Sequence, residues 1–325
     1  MDREQLQTFA TIVAEGSFER AAMVLNVSRG AVSQRIKALE EGVAAVLLVR
    51  DRPVVATAAG EVLLRHVKAM CMSEQATMTA LRPSSDSAAL VPVAVAVNAD
   101  SLATWFPSVL WLLLARRHIA IEVVVDDQCH TLARLMRGEV VGCVSTEDKA
   151  ASGFLARPLG RMEYRCYATQ EFADKHFPQG LSVPAVLRAP AVVFNRKDSL
   201  HNAFLRAVFG FSVERYARHF LPEPGALLQA LRAGVGYGLV PVMQVQALGE
   251  SSGLVDLAAR QSVAVDLYWH HWEHEPALSE EVTRQVVAQA ATLLRPSLPA
   301  DGADDLEQWP NTSGLWPYRS PLTFA

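Results

Sequence analysis

The sequence predicts an α/β chain headed by a small helical unit, and three observations carry that reading. Apolar residues repeat at helical spacing through residues 6–39, one long helical stretch covers 58–82, and from residue 91 β-branched runs alternate with helical stretches. At 325 residues the chain is long for one core, and a prior of roughly 150 residues per domain predicts two domains.

Each element follows from its residues. Leu6, Phe9, Ala10 and Val13 stand at i, i+3, i+4 and i+7, the apolar stripe of a first helix that Gly16 ends. Ser17 is the expected N-cap of a second helix, striped by Phe18, Ala21, Ala22 and Leu25. A tight turn, Asn26-Val27-Ser28, leads into a third helix whose inner face is Ala31, Val32, Ile36 and Leu39. LLVR-DRP-VVAT (47–57) places two β-rich segments around a short turn and reads as a hairpin wing. In the long helix, Leu63, Val67, Met70, Met78 and Leu81 keep near the 3.5-residue period of a helix that pairs with another. Pro83 and the following SSDS mark a linker.

Beyond the linker, VPVAVAV (91–97), IEVVV (121–125), VVGCVS (140–145), AVVFN (191–195) and YGLVP (237–241) read as strands. Helical stretches at 101–115, 129–137, 198–209 and 225–233 lie between them, which predicts a mainly parallel sheet. The chain from Pro296 onward lacks periodicity and is expected to be irregular.

Composition narrows the function classes. A net charge of −4 excludes a generally basic nucleic-acid coat, so any DNA binding must rest on local charge. Cys71, Cys129, Cys143 and Cys166 are scattered without a CxxC pair, which is neither a disulfide framework nor a zinc site and suits a reducing, cytoplasmic setting. The start MDREQLQTFA has no apolar core and is not read as a signal peptide. The apolar run VLWLLLA (109–115) is far short of the roughly 20 residues a membrane helix needs, so no membrane partner is expected.

Two short helices joined by a tight turn form a helix-turn-helix, in which the second helix enters the DNA major groove. That helix is SRGAVSQRIKALE (28–40). Its outward residues Ser28, Arg29, Ser33, Gln34, Arg35 and Lys37 include three cations and no acid before Glu40. Arg and Lys pair with guanine edges or phosphates, Gln with adenine and Ser with phosphate oxygens. From the wing, Arg50 and Arg52 reach toward flanking backbone.

EGSFERAAMVLNVSRGAVSQRIKALE (15–40), followed by LLVR and ATAAGE (56–61), closely resembles the LysR-type transcriptional regulators. VNADSLATWFP (97–107), DDQCHTLARLMRGEVVG (126–142), FADKHFP (172–178) and LYWHHW (267–272) look like that family's arginine/lysine-responsive branch, also described as chromosome-initiation inhibitors. The resemblance implies a winged helix-turn-helix at 1–57, a linker and dimerisation helix at 58–82, a hinge at 83–90 and an effector domain at 91–296. That domain would be two-lobed and similar to type II periplasmic binding proteins, with one lobe of about 91–164 plus 266–296 and a second of about 165–265. It also implies double-stranded DNA, a basic amino acid (lysine or arginine), a second copy of the chain as homodimer or tetramer, and RNA polymerase as partners. No cofactor is implied. Three places depart from the family pattern: Arg29-Gly30 at the start of the recognition helix, Ala44 where glycine is usual, and PEPGA (222–226) in place of a Ser-containing segment. The segment 297–325 has no counterpart in the family.

In open α/β sheets, ligands sit beyond the carboxyl ends of strands. Asp100, Ser101, Asp126, Asp127, Ser145, Glu147 and Asn195 occupy such positions, with Trp105 nearby. Ser101 near a helix start offers donors for a ligand carboxylate, Asp100 an acceptor for its α-amino group, and Asp126 and Asp127 opposite charge for its cationic end. The plainer readings stand beside these: Asp126 and Asp127 as helix caps, Ser101 as an N-cap, and Trp105 as core. GVGYG (234–238) follows a helix and enters a strand, the reverse of a phosphate loop. His270, His271 and His274 lack a carboxylate-backed metal pattern, and Cys129 with His130 makes no working catalytic pair. The chain is therefore read as a DNA-binding regulator and no enzyme. A solute-binding protein with a helical N-terminus unrelated to DNA is the alternative.

Overall fold

The computed structural model describes residues 1–81, 90–115, 119–125, 128–213 and 215–296. Helix α1 (Arg3–Glu15) ends at Gly16 in the left-handed region, φ 59°. Helices α2 (Phe18–Val24) and α3 (Arg29–Val43) start where their serines cap them: the Ser17 hydroxyl accepts from the Arg20 N–H, and that of Ser28 from Ala31. Strands β1 (Leu48–Val49) and β2 (Val55–Ala56) pair antiparallel as the wing. Phe9, Ile12, Val32, Ile36 and Leu39 are buried together with Leu47, Leu48 and Val54, so the wing closes the same core as the three helices.

Helix α4 (Ala58–Leu81) leaves this unit with Leu63, Leu64 and Val67 in its core. A Cβ at Gly60 would lie 2.1 Å from the Leu47 carbonyl oxygen, so only glycine lets α4 start this close to the wing. Met70, Met78 and Leu81, the later part of the predicted stripe, are exposed in the single chain.

The larger domain runs β3 (Val91–Val97), α5 (Ala99–Ala103), α6 (Phe106–Leu114), β4 (Ile119–Val125), α7 (Gln128–Met136), β5 (Gly142–Ser145) and β6 (Phe154–Thr169). It continues with α8 (Gln170–His176), α9 (Val183–Arg188), β7 (Ala191–Val193), α10 (Leu200–Phe209), β8 (Arg218–Phe220), α11 (Pro224–Arg232) and β9 (Gly238–Pro241). It closes with α12 (Val242–Gln246), β10 (Leu254–Asp256), β11 (Val263–Trp272) and α13 (Ala277–Leu293). Strand β3 pairs parallel with both β4 and β5, and β7 pairs parallel with β8.

The expectation of a mainly parallel sheet is corrected here. The 16-residue β6 and the 10-residue β11 pair antiparallel along their length, β11 also pairs antiparallel with β5, and β6 with β9 and β10. Strand β6 was not legible as an apolar run because Arg157, Arg161, Glu163 and Arg165 alternate along it, with one face packed and the other polar. Its first half belongs with β11, β5, β3 and β4, and its end with β9 and β10, so this one strand runs through both lobes.

Candidate DNA-binding surface and ligand cleft

The turn between α2 and α3 leaves one face of α3 packed through Val32, Ile36 and Leu39, and the opposite face open. Ser28, Arg29, Ser33, Gln34 and Lys37 are exposed there, as are Arg50 and Arg52 in and beside the wing. Arg35 is different. Its guanidinium turns toward α1, 2.5 Å from the Glu4 carboxylate and 3.4 Å from the Thr8 hydroxyl.

The face free of acids in sequence is not free of them in space. Arg29 pairs with Glu19 at 3.1 Å, Lys37 with Glu41 at 3.8 Å, and Arg50 with Glu40 at 3.4 Å. Glu40 also accepts the Leu47 N–H at 2.9 Å, so it ties the end of α3 to the wing. The Glu19 carboxyl is held below its ordinary range by a backbone N–H and the Ser17 hydroxyl, with smaller help from Arg29 and Arg52. Exposed pairs of this kind contribute little to stability.

Helix α5 of the first lobe meets α11 of the second, and the expected ligand-side residues gather around this junction. Asn98 caps α5 by accepting the Ser101 N–H at 3.3 Å, which sets the neighbouring Asp100 carboxylate beside Tyr164 of β6. The Tyr164 hydroxyl donates to Asp100 at 2.7 Å. Burial pushes the Asp100 carboxyl up to about 6, against that hydrogen bond and with help from the charge of Asp198. Asp198 itself is raised by burial, while accepting the N–H groups of Leu200 at 2.8 Å and of Phe194. One carboxylate comes from each lobe, and the bonds to both are from a phenol and from backbone amides, all neutral. Carboxylates with only neutral partners favour the approach of a cation.

Asp198 was not among the residues expected from sequence. The Glu223 carboxylate accepts the Gly225 and Ala226 N–H groups at 2.8 and 2.5 Å and so occupies the first turn of α11, where the family usually has the Ser-containing segment. Ser101 is fully buried, and among the described residues its hydroxyl finds no hydrogen-bond partner. Trp105 is 1% exposed and packs edge-on to Phe106 at 5.4 Å, a core position. Ser145 is buried and its hydroxyl accepts the Glu147 N–H at 3.1 Å, whereas the Glu147 side chain is exposed. Asn195 is half-buried and its side chain closes a turn onto the Lys197 N–H at 2.8 Å. Asp126 and Asp127 lie outside the described residues.

The histidines of β11 have structural partners. His270 Nε2 sits 2.7 Å from the Glu147 carbonyl, and His271 Nδ1 sits 2.9 Å from Glu275. Among the described residues no group of three or more His, Cys, Asp or Glu side chains is placed to hold a metal ion. Burial pushes the Cys143 thiol up to about 12 and raises that of Cys166 further, which makes both inert as nucleophiles. No helix among the described residues is long and apolar enough to cross a membrane.

A winged helix-turn-helix joined by a long helix to a two-lobed α/β domain defines a ligand-responsive, DNA-binding regulator. Residues 3–61 match the family model of the bacterial regulatory helix-turn-helix proteins of the lysR family, and residues 92–291 match the LysR substrate binding domain. The chain belongs to the LysR family; it is a DNA-binding transcription regulator and not an enzyme. It is 36% identical over 294 residues to the transcriptional regulator ArgP of Photobacterium profundum, covering 90% of this chain and 98% of that one. The crystal structure of ArgP from Mycobacterium tuberculosis superposes with a TM-score of 0.80 at 33% identity, over 91% of this chain and 100% of the other. Full-length LysG from Corynebacterium glutamicum with bound effector arginine superposes at 0.76, with 33% identity and the same coverage.

Proposed function

We propose that this regulator senses a basic amino acid, L-arginine or L-lysine, and adjusts its hold on operator DNA accordingly. The observation that carries the reading is the placement of Asp100 and Asp198: two carboxylates, one from each lobe, whose hydrogen bonds come from a phenol and backbone amides and so leave their charge uncompensated. The arginine bound to LysG supports the same ligand class. A cation between the carboxylates relieves their mutual repulsion and draws the lobes together, which is the differential affinity a ligand needs to shift an equilibrium. Ser101, Ser145 and Asn195 complete the set of candidate contacts, and Asp126 and Asp127 remain candidates for the cationic end.

In this reading residues 1–57 bind DNA through Ser28, Arg29, Ser33, Gln34, Lys37, Arg50 and Arg52, and residues 58–82 pair two copies. The effector domain spans 91–296, with lobes of about 91–164 plus 266–296 and about 165–265. The regulator works in the cytoplasm as a homodimer or tetramer, communicates with RNA polymerase, and controls genes of amino-acid export or metabolism. Calorimetric titration tests the ligand class, with citrulline as the neutral isostere of arginine. Binding of arginine or lysine without binding of citrulline supports it. Equal binding of citrulline removes the charge argument.

A further inference from the structure

Helix α4 belongs to two cores at once. Leu63, Leu64 and Val67 are buried in the winged unit, while Arg65, Lys68, Ala69 and Met72, spaced i, i+3, i+4 and i+7, face the effector domain. Met72 is buried in the effector-domain core, its sulfur 3.9 Å from the Ser279 hydroxyl of α13. The two cations of this face reach the carboxyl end of α7. Arg65 donates to the Met136 carbonyl at 2.9 Å and stacks 4.8 Å from the Phe154 ring centre, and Lys68 donates to the Gly138 carbonyl at 2.6 Å. Cations suit the carbonyl-rich end of a helix. Gly138 has φ +65°, and a Cβ there would meet Arg65 Cγ at 3.3 Å and Lys68 Cδ at 3.4 Å, so a glycine is what lets α4 close on this turn.

The other end of α7 lies on the carboxyl-end side of the parallel strands β3 and β4. The helix begins at Gln128, just past Val125, where β4 ends on the side of the sheet at which open α/β folds take ligands. Thr131 within it is buried against the Val144 carbonyl of β5. Its 9 residues make a rod of about 13 Å with the ligand edge at one end and α4 at the other. We propose that the clasp of Arg65 and Lys68 on the carboxyl end of α7 is the contact through which cleft occupancy is transmitted to the DNA-binding unit. Arg65 and Lys68 are positioning residues: they act through α7, and they set how α4, and with it the winged unit, sits against the first lobe. The inference rests on the amino-acid reading for its input, but not for the contact itself.

The experiment uses the full chain carrying Arg65→Met and Lys68→Met together, substitutions that keep the apolar stems. Arginine affinity is measured by calorimetry, and DNA affinity by fluorescence anisotropy with and without arginine. The expected result is arginine affinity within about twofold of the unsubstituted chain, with the arginine-dependent change in DNA affinity reduced at least fivefold, within the usual range of coupling between sites. Lys68→Arg is expected to retain the response. A full response in the double variant overturns the proposal, and so does loss of arginine binding itself, which would make the contact part of the cleft's own architecture. If the unsubstituted chain binds neither arginine nor lysine, the amino-acid reading is what fails, and hydrogen exchange then decides the clasp. Faster exchange in the double variant at 66–72 and 132–138 supports it, and unchanged exchange overturns it.

Discussion

The Tyr164 hydroxyl donates to the Asp100 carboxylate at 2.7 Å, which ties the middle of the longest strand to the first turn of α5. That bond holds Asp100 in place while burial and Asp198 push its carboxyl up to about 6. A group kept this way is costly to the free protein and useful to a cationic ligand, and the two consequences are measurable separately.

Asp100→Asn is expected to weaken arginine or lysine binding at least tenfold while raising the melting temperature at pH 7. The sign follows from the raised pKa. The folded state binds the proton more tightly than the unfolded chain, so the Asp100 contribution is favourable below about pH 4 and is lost as the pH rises through about 6. The stability gain of the variant therefore builds between about pH 4 and 6, is complete above about 6 and vanishes in acid, as thermal melts across pH will read. In the unsubstituted chain, arginine affinity falls as the pH drops below about 6, because a protonated Asp100 holds no counter-charge. A pH-independent affinity contradicts this assignment.

Arg35 and Lys37 are expected to differ although they are two residues apart. Lys37→Ala should reduce the salt slope of DNA binding by about one, as expected for the loss of one phosphate contact. Arg35→Ala removes the bonds to Glu4 and Thr8, so it should lower the melting temperature of the winged unit, with a smaller change in slope. Anisotropy at several salt concentrations, paired with thermal melts, separates the two. The reverse pattern would place Arg35 on the DNA.

Ala44 caps α3 at φ 51°, a left-handed conformation that favours glycine, which is the residue the family usually has there. Ala44→Gly should therefore stabilise the chain by about 0.5–1 kcal/mol, since the strain of a Cβ in this region exceeds the entropy cost of glycine. Chemical denaturation measures it, and a loss of stability would show that the turn relaxes without cost.

In a Cys129→Ser background, thiol labelling of the folded chain should stop at one site. Cys71 is exposed on α4, whereas Cys143 and Cys166 are buried with raised pKa values. Fast labelling at more than one cysteine would indicate that the effector-domain core opens readily.

The winged unit was legible in sequence because its signals are local. The caps Ser17 and Ser28 and the stripe through Phe9, Val32 and Ile36 need no knowledge of distant residues. Strand β6 was hidden because its alternating charges look like surface, and its partners lie far along the chain. Asp198 acquires its meaning only from Asp100, a neighbour created by the fold. The same blindness applied to Glu4 and Glu19, which supply from other helices the acids that α3 lacks on its outer face. Of the residues expected around the ligand, Asp100 lies on α5 beside Tyr164, Trp105 is buried, and Asp126 and Asp127 fall outside the described residues.

Control of DNA binding by a basic amino acid is the property on which the proposed function stands or falls. Fluorescence anisotropy on DNA from the chain's own genomic neighbourhood, at fixed salt, tests it directly. DNA affinity is expected to change at least fivefold with arginine or lysine, to stay constant with citrulline, and no longer to respond in Asp100→Asn. The same affinity with and without either amino acid would contradict it.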